Sequence, residues 1–129
     1  MKRISFNPRF VNAAGNNLID GKIHTIRQNY WYWKHFEGQE VALFYWDGKP
    51  YQKGSKQIVF CTKKIVSVQM VTKSEVADFW QSIERDKKPI PIDLISKNDG
   101  FENKTELIEW FINYPFGEFA IIHFTDFKY

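Results

Sequence analysis

The chain has a single cysteine and no long hydrophobic run. The first shortage excludes a fold held by internal disulfides, and the second argues against a membrane-spanning helix. Cys61 has no second cysteine to pair with, so an internal disulfide is impossible and a reducing compartment is expected. No apolar stretch approaches the roughly 18 residues that a membrane-spanning helix needs, and the first residues lead into no signal-peptide core. The sequence therefore predicts a cytoplasmic protein with no membrane segment.

Residues that bind metals are also sparse. The three histidines, His24, His35 and His123, are scattered along the chain, in none of the Cys and His spacings that are typical of metal sites. We therefore expect no metal, and the sequence indicates no cofactor.

Aromatic residues, in contrast, are abundant. They make up 18% of the 129 residues, with five Trp, six Tyr and twelve Phe. Such side chains favour strands and bury large areas, which indicates a compact β-rich core. They also stack on nucleobases, so the composition leaves an aromatic binding surface open as an alternative. At this length, with 43% hydrophobic residues, the chain is expected to form a single domain over residues 1–129.

The net charge of +3 hides an asymmetry along the chain. Residues 1–73 hold twelve Lys and Arg against four Asp and Glu, whereas residues 74–129 hold six against eleven. A basic half can attract phosphates. Charges as dispersed as these also occur on an ordinary solvated face, and the sequence does not separate the two explanations.

The hydrophobic periodicity predicts an α+β fold with a mainly antiparallel sheet. Asn7 and Pro8 begin a helix, because Asn is a favoured N-cap and Pro is tolerated at the first helical position. Gly21 ends that helix, since Gly suits the left-handed position after a helix. The other elements are strands at 3–6, 39–45, 57–61, 65–71 and 119–124, a bulge or bend at 62–64, and helices at 91–97 and about 103–113.

Two segments allow more than one interpretation. Residues 28–35 form an aromatic connection with little periodicity, which can be a rim over a pocket or a lid on the core. Residues 74–88 fit either a short helix or a strand at 79–84, and we favour the strand.

Residues 21–27, Gly-Lys-Ile-His-Thr-Ile-Arg, concentrate polar groups where the first helix is expected to end. A Lys in an apolar pocket can act as a base, and a Thr hydroxyl becomes a nucleophile when a base takes its proton. Side chains alternate along a strand, so Lys22 and Thr25 converge only if Lys22 still belongs to the turn after Gly21. Each residue also has a purely structural explanation, because Lys suits a helix C-terminus and Thr suits a strand.

The segment 21–27 resembles a stretch of ASCH domains (activating signal cointegrator homology) in which a Lys is followed three residues later by a Thr and then by an Arg. Residues 38–41 are similar to the Gly-Asp strand start of that family, with Gln39 in place of Asp. Residues 99–101, Asp-Gly-Phe, are similar to its Glu-Gly-Phe, and a late helix precedes a final apolar strand as in the family. ASCH domains belong to the PUA-like superfamily. The resemblance therefore implies a PUA-like curled, mainly antiparallel β-barrel with about three helices packed around it.

The resemblance also implies recognition of RNA or of a small nucleoside-like ligand. The binding residues would lie in or just after the segment: Gly21, His24, Arg27, Tyr30, Trp31 and Trp33. In a bacterial branch of small ASCH proteins, a Lys, a Thr three residues later and a downstream Glu hydrolyse the amide of N4-acetylcytidine. Carried over, the catalytic residues are Lys22, Thr25 and Asp99, whose side chain is one methylene shorter than Glu. The expected function is binding of RNA or a modified nucleoside, with amidohydrolysis as the alternative and a protein-interaction role as a third candidate.

Overall fold

The computed structural model describes residues 1–73, 80–83 and 88–129, which form eight strands, three short helices and a 3-10 turn. The elements follow one another as β1 (Arg3–Ser5), a 3-10 turn (Pro8–Phe10), β2 (His24–Gln28), α1 (Tyr30–Lys34), β3 (Glu40–Asp47), β4 (Lys56–Lys64), β5 (Ser67–Lys73), β6 (Trp80–Ser82), β7 (Pro89–Ile90), α2 (Ile92–Asn98), α3 (Lys104–Phe111) and β8 (Gly117–His123). The predicted α+β class is confirmed.

The described strands form two sheets. The first has the order β1-β3-β4 and the second the order β2-β8-β5-β6-β7. Every pairing is antiparallel except that of β1 with β3, which is parallel. The described strands therefore do not form the closed barrel that the resemblance to PUA-like domains implies. Among the described residues, no ladder joins the outer strands of one sheet to those of the other.

Strand β8 is an interior strand of the larger sheet, paired on both sides with β2 and β5, and its nearly continuous apolar sequence is typical of such a buried position. Four consecutive residues of β8 are at most 1% exposed: Phe119, Ala120, Ile121 and Ile122. Strand β2 pairs with β8 residue by residue, from His24 opposite His123 to Gln28 opposite Phe119. This register places the segment that follows Gly21 against one of the most buried strands of the protein.

The predicted helix from residue 8 to Gly21 is wrong beyond its first turn. It starts as expected, since the Asn7 side chain accepts a hydrogen bond from Arg9 N at 3.0 Å and Pro8 is the first residue of the turn. It ends at Phe10, which is buried. The chain that leads to Gly21 is therefore not helical, and no helix dipole acts at Gly21 from this side.

A loop held by side-chain hydrogen bonds replaces the rest of that helix. The Asn12 side chain accepts from the backbone N–H groups of Asn16 at 3.0 Å and Asn17 at 3.2 Å. Bonds of this kind compete with the backbone bonds of a helix. They close a loop whose ends, Val11 and Leu18, form an isolated β-bridge.

Two other boundaries differ from the prediction. The helix α1 forms within residues 28–35, where the sequence predicts only an irregular connection. The irregularity expected at 62–64 is not seen there, because β4 stays paired with β3 as far as Lys64, and residues 65–66 separate β4 from β5.

The prediction for residues 74–88 is tested only in part. Strand β6 confirms the favoured strand over Trp80–Ser82. Residues 74–79 and 84–87 lie outside the described residues.

The helices are short and cover the sheets locally. Helix α2 has seven residues and α3 has eight, and the two pack against each other. Both begin and end close to the predicted residues, with Asn103 as the N-cap of α3 and Gly100 at φ +90° after α2. No helix in the described part of the chain is long and apolar enough to cross a membrane.

Leu107 and Ile112 provide a matched test of how α3 packs. Leu107 is 0% exposed, whereas Ile112, at the end of the helix, is 63% exposed. Leu107→Ala should lower the free energy of unfolding by about 2–5 kcal/mol, because it leaves a cavity among packed side chains, and Ile112→Ala by less than about 1 kcal/mol. Urea denaturation followed by Trp fluorescence measures both losses. Equal losses would contradict this placement of the helix.

Candidate functional site

A buried ion pair between Lys22 and Asp99 forms the centre of the candidate site. Lys22 Nζ donates to the carbonyl oxygen of Asp99 at 2.6 Å and to its carboxylate Oδ1 at 3.2 Å. The two residues are 6% and 3% exposed. Lys22 reaches Asp99 because Gly21, at φ +86°, turns the chain just before it, and β2 begins only at His24. Lys22 thus belongs to the turn, as its convergence with Thr25 requires.

The alkyl part of the Lys22 side chain lies against Gly100. A Cβ at position 100 would come within 3.1–3.3 Å of three side-chain carbons of Lys22, so glycine keeps this space free. Asp99, which precedes it, caps the C-terminus of α2. The carbonyl that accepts from Lys22 therefore lies at the negative end of that helix, where a cation is stabilised.

Asp99 is also held by His24. Its Oδ1 lies 3.1 Å from His24 Nδ1, and His24 Nε2 lies 2.6 Å from the hydroxyl of Tyr129. Because an ionised carboxylate only accepts, Nδ1 carries the proton and Nε2 accepts from Tyr129. The Tyr129 hydroxyl in turn accepts from Asn98 Nδ2 at 3.1 Å. A hydrogen-bond chain therefore runs from Lys22 through Asp99 and His24 to Tyr129.

His123 forms a second buried polar contact beside this chain. Its ring lies edge-on to that of His24, with centroids 5.4 Å apart, as the β2–β8 register requires. His123 Nε2 donates to Gln69 Oε1 at 2.7 Å, and the same oxygen accepts from Tyr129 N at 3.0 Å. Burial lowers the pKa of His123 to about 3 and lowers the pKa of His24 as well. Both imidazoles are therefore neutral at neutral pH.

The surroundings of Lys22 oppose its charge. Burial lowers the pKa of the Lys22 amine more strongly than the Asp99 carboxylate raises it, and Arg27 adds to the lowering. The rings of Phe10 and Phe6, with centroids 4.5 and 5.7 Å from Nζ, attract the charged form as Asp99 does, and burial acts against both. A lowered pKa leaves a larger fraction of the amine unprotonated at neutral pH. Only the unprotonated amine can accept a proton, which is what a general base has to do.

A small cavity adjoins the ion pair. It has a volume of about 30 Å³, and its polar wall contains Lys22, Thr25, Arg27 and Asp99. Thr25 and Arg27 share one face of β2, because side chains alternate along a strand. Aromatic side chains complete the wall: Phe6, Phe10, Phe101, Trp110 and Phe111. The space accommodates about one or two water molecules, which is too little for an aromatic ring.

Two larger clefts border Arg27 on the outside. The smaller one, of about 250 Å³, is lined by basic and aromatic side chains that include Lys2, Arg3, Trp33, Phe44 and Tyr51. The larger one, of about 360 Å³, includes Phe6, Pro8, Trp46 and Pro50. Arg27 Nη2 donates to the carbonyl oxygen of Ser5 at 2.6 Å, while its buried Nε has no hydrogen-bond partner among the described residues. Arg27 thus borders all three spaces, and its Nε is a buried donor that has no partner among the described residues.

Most of the site residues proposed from the sequence lie at the cavity, in the clefts around Arg27 or directly behind Asp99. Four of them line the cavity: Lys22, Thr25, Arg27 and Asp99. Trp33 lies in the smaller cleft. His24 lies behind Asp99 and holds its carboxylate, so it positions a residue of the cavity without lining it.

Three proposed residues lie elsewhere. Gly21 makes the turn before Lys22 and lines none of the three spaces around Arg27. Tyr30 is 5% exposed and belongs to the core, so its ring is not available to a ligand. Trp31 is 65% exposed but outside the three spaces around Arg27.

Sequence reasoning missed Tyr129, Tyr51 and the phenylalanines of the cavity wall. Tyr129 contacts His24 across 105 positions of sequence, and no local spacing predicts such a contact. The high aromatic content was the only signal for the others, and it does not say which rings meet.

The described residues include no group of three or more His, Cys, Asp or Glu side chains that could hold a metal ion. No protein-family model, no curated protein and no solved structure matches this chain. The function has to be argued from the geometry of the site itself.

The two buried histidines determine how stability should depend on pH. Their pKa values are lowered in the folded chain, so they stay neutral at pH values where the unfolded chain is already protonated. Their contribution to the free energy of unfolding is therefore complete above the ordinary histidine pKa of 6.5 and is lost as the pH falls below it, for His123 down to about 3. Each histidine should lower the free energy of unfolding by up to about 1.4 kcal/mol per pH unit in this range.

Denaturation by urea across this pH range measures the slope. His123→Gln should make it shallower, because one buried imidazole is gone, whereas the same change at the exposed His35 should leave it unchanged. A slope in His123→Gln equal to that of the wild type would show that His123 does not titrate in this way.

Proposed function

We propose that this chain is an ASCH-type, PUA-like domain that binds RNA or a modified nucleoside, with the cavity and the two clefts around Arg27 as its binding site. The position of Arg27 carries the proposal. It borders the cavity and both clefts, and its buried Nε has no partner among the described residues. The antiparallel pairing of β8 with β2 and β5 supports a fold of this type, although the described strands form two separate sheets and no closed barrel.

The clefts offer the contacts that a nucleobase uses. Tyr51 is 90% exposed, and its ring centroid lies 5.0 Å from that of Trp46, so the two clefts are joined by adjacent aromatic faces. Bases stack on such rings with little dependence on sequence. Lys2 and Arg3 in the smaller cleft supply positive charge for a phosphate.

The volumes indicate how a ligand would be arranged. The cleft of about 360 Å³ lies at the lower end of the usual range for small-molecule sites, and the cleft of about 250 Å³ lies just below it. The inner cavity, at about 30 Å³, leaves room only for a small substituent. The ring of a nucleoside would therefore lie in a cleft, with its small polar group directed past Arg27 toward Lys22.

Tyr51→Ala tests the aromatic clefts. Loss of a stacking face should weaken binding of single-stranded RNA or of a nucleoside by on the order of tenfold. Phe116→Ala is the matched control, because Phe116 is 57% exposed but lines none of the three spaces. Fluorescence titration measures both variants, and equal affinities would place the binding surface elsewhere. Repeating the titration at several salt concentrations separates the ligands, because RNA affinity falls steeply as counterions are released and nucleoside affinity hardly changes.

The meeting of Lys22, Thr25 and Asp99 at one cavity favours a second candidate function, the hydrolysis of an acylated nucleoside such as N4-acetylcytidine. In this scheme Lys22 takes the proton of the Thr25 hydroxyl, whose oxygen attacks the acyl carbon. Lys22 then gives the proton to the leaving amine of the base, and water releases the acyl group from Thr25 as a carboxylic acid. Asp99 positions Lys22, and Arg27 Nε donates to the developing oxyanion.

Release of cytidine from N4-acetylcytidine, followed by chromatography, tests this scheme. Lys22→Met and Thr25→Val should each lower the rate at least about a hundredfold, because they remove the base and the nucleophile. Thr25→Ser should retain part of the activity, since the hydroxyl remains. Lys104→Met and Thr105→Val, at exposed positions around the start of α3, are matched controls that should be fully active. Full activity in Thr25→Val would overturn the scheme and leave the binding function standing.

A further inference from the structure

Another cavity lies beyond Tyr129, at the end of the hydrogen-bond chain that starts at Lys22. Its volume is about 300 Å³, which is within the range of sites for small molecules. None of the residues that line it belongs to the cavity or to the clefts around Arg27. It is therefore a separate site, and an inference about it does not depend on the proposed function.

The wall of this cavity is mainly apolar. It includes Ile90, Leu94 and Phe127, together with the two prolines that flank Ile90. Leu94 is 40% exposed and Phe127 is 37% exposed. Phe127 lies edge-to-face with Tyr129, with ring centroids 4.9 Å apart. A small apolar molecule, and an aromatic ring in particular, could pack against these side chains.

The polar groups of the wall favour an anion. Two exposed lysines, Lys88 and Lys128, belong to it, and none of the described residues that line it is acidic. Ser82 is also part of the wall and is 1% exposed, yet its hydroxyl has no hydrogen-bond partner among the described residues. A buried hydroxyl without a partner costs about 1–3 kcal/mol, so native structures rarely leave one unpaired.

We infer that this cavity binds a small aromatic carboxylate. The ring lies against Leu94 and Phe127, and the carboxylate is directed toward Lys88 and Lys128, which a neutral ligand would leave unused. A cation with the same ring is disfavoured, because the two charged side chains among the described residues of the wall, Lys88 and Lys128, are both positive.

Benzoate is the probe that tests this site. Titrated into the 15N-labelled chain, benzoate should give saturable amide shifts at the non-proline residues of 88–94 and at residues 127–129. Benzylamine, with the same ring and the opposite charge, should bind at least about tenfold more weakly. Equal binding of the two probes would overturn the preference for an anion. Shifts that do not saturate, or that appear only around Arg27, would overturn the site.

Variants of the wall separate the charge from the shape of the site. Lys88→Gln and Lys128→Gln should each weaken benzoate binding about threefold to tenfold. Lys97→Gln is the matched control, because Lys97 is an exposed lysine of α2 that does not line the cavity. Leu94→Trp should fill the cavity from a partly exposed position and abolish binding while the chain stays folded. Undiminished binding in the folded Leu94→Trp variant would overturn the proposal.

Discussion

The site depends on the buried contact between Lys22 and Asp99. Removing two charges from water is costly, and the cost is offset only when both groups have good partners. Here Asp99 Oδ1 faces two donors, Lys22 Nζ and His24 Nδ1, and Lys22 Nζ also reaches the Asp99 carbonyl oxygen. Loss of one partner from such a pair typically costs about 3–5 kcal/mol, because the other is left charged and alone. His24 supplies Asp99 with its second donor, and Tyr129 in turn holds His24 by a hydrogen bond.

The pair also joins parts of the chain that are far apart in sequence. Lys22 comes from the turn before β2, and Asp99 comes from the end of α2. A backbone hydrogen bond holds these two segments together, because Ile23 N donates to Asn98 O at 2.9 Å. Phe124 N donates to Ile23 O at 3.1 Å and ties the end of β8 to the same turn. The geometry of the cavity is therefore determined by the register of β2 on β8 and by the docking of α2, not by the local segment alone.

The sequence predicted what local rules determine. The apolar run of β8 predicted that it is buried between two other strands, and Asn103 and Gly100 predicted where α3 begins and where α2 ends. The turn at Gly21 predicted that Lys22 and Thr25 could share one cavity. These positions depend on caps, turns and burial patterns that a few neighbouring residues decide.

What the sequence did not predict depends on competition or on distance. The helix that begins after Asn7 ends early because the Asn12 side-chain oxygen accepts hydrogen bonds from two backbone N–H groups and so stabilises a loop. The apolar periodicity of the segment fits a helix and does not indicate that the loop is more stable. Tyr30 was expected to face a ligand, but α1 turns it into the core. The contact of Tyr129 with His24 is a tertiary one, and only the assembled sheet shows it.

The charge of whatever enters the cavity decides which property of Lys22 matters. Burial already lowers the pKa of its amine. A neutral acyl group that displaces water from the cavity would remove more solvent from Nζ and lower the pKa further, which favours the amine as a base for Thr25. A phosphate held near Arg27 would raise the pKa of Lys22 and keep it as a cation, which favours binding over hydrolysis. The two candidate functions therefore use the same ion pair in opposite protonation states, and the direction in which a ligand moves the pKa of Lys22 distinguishes them.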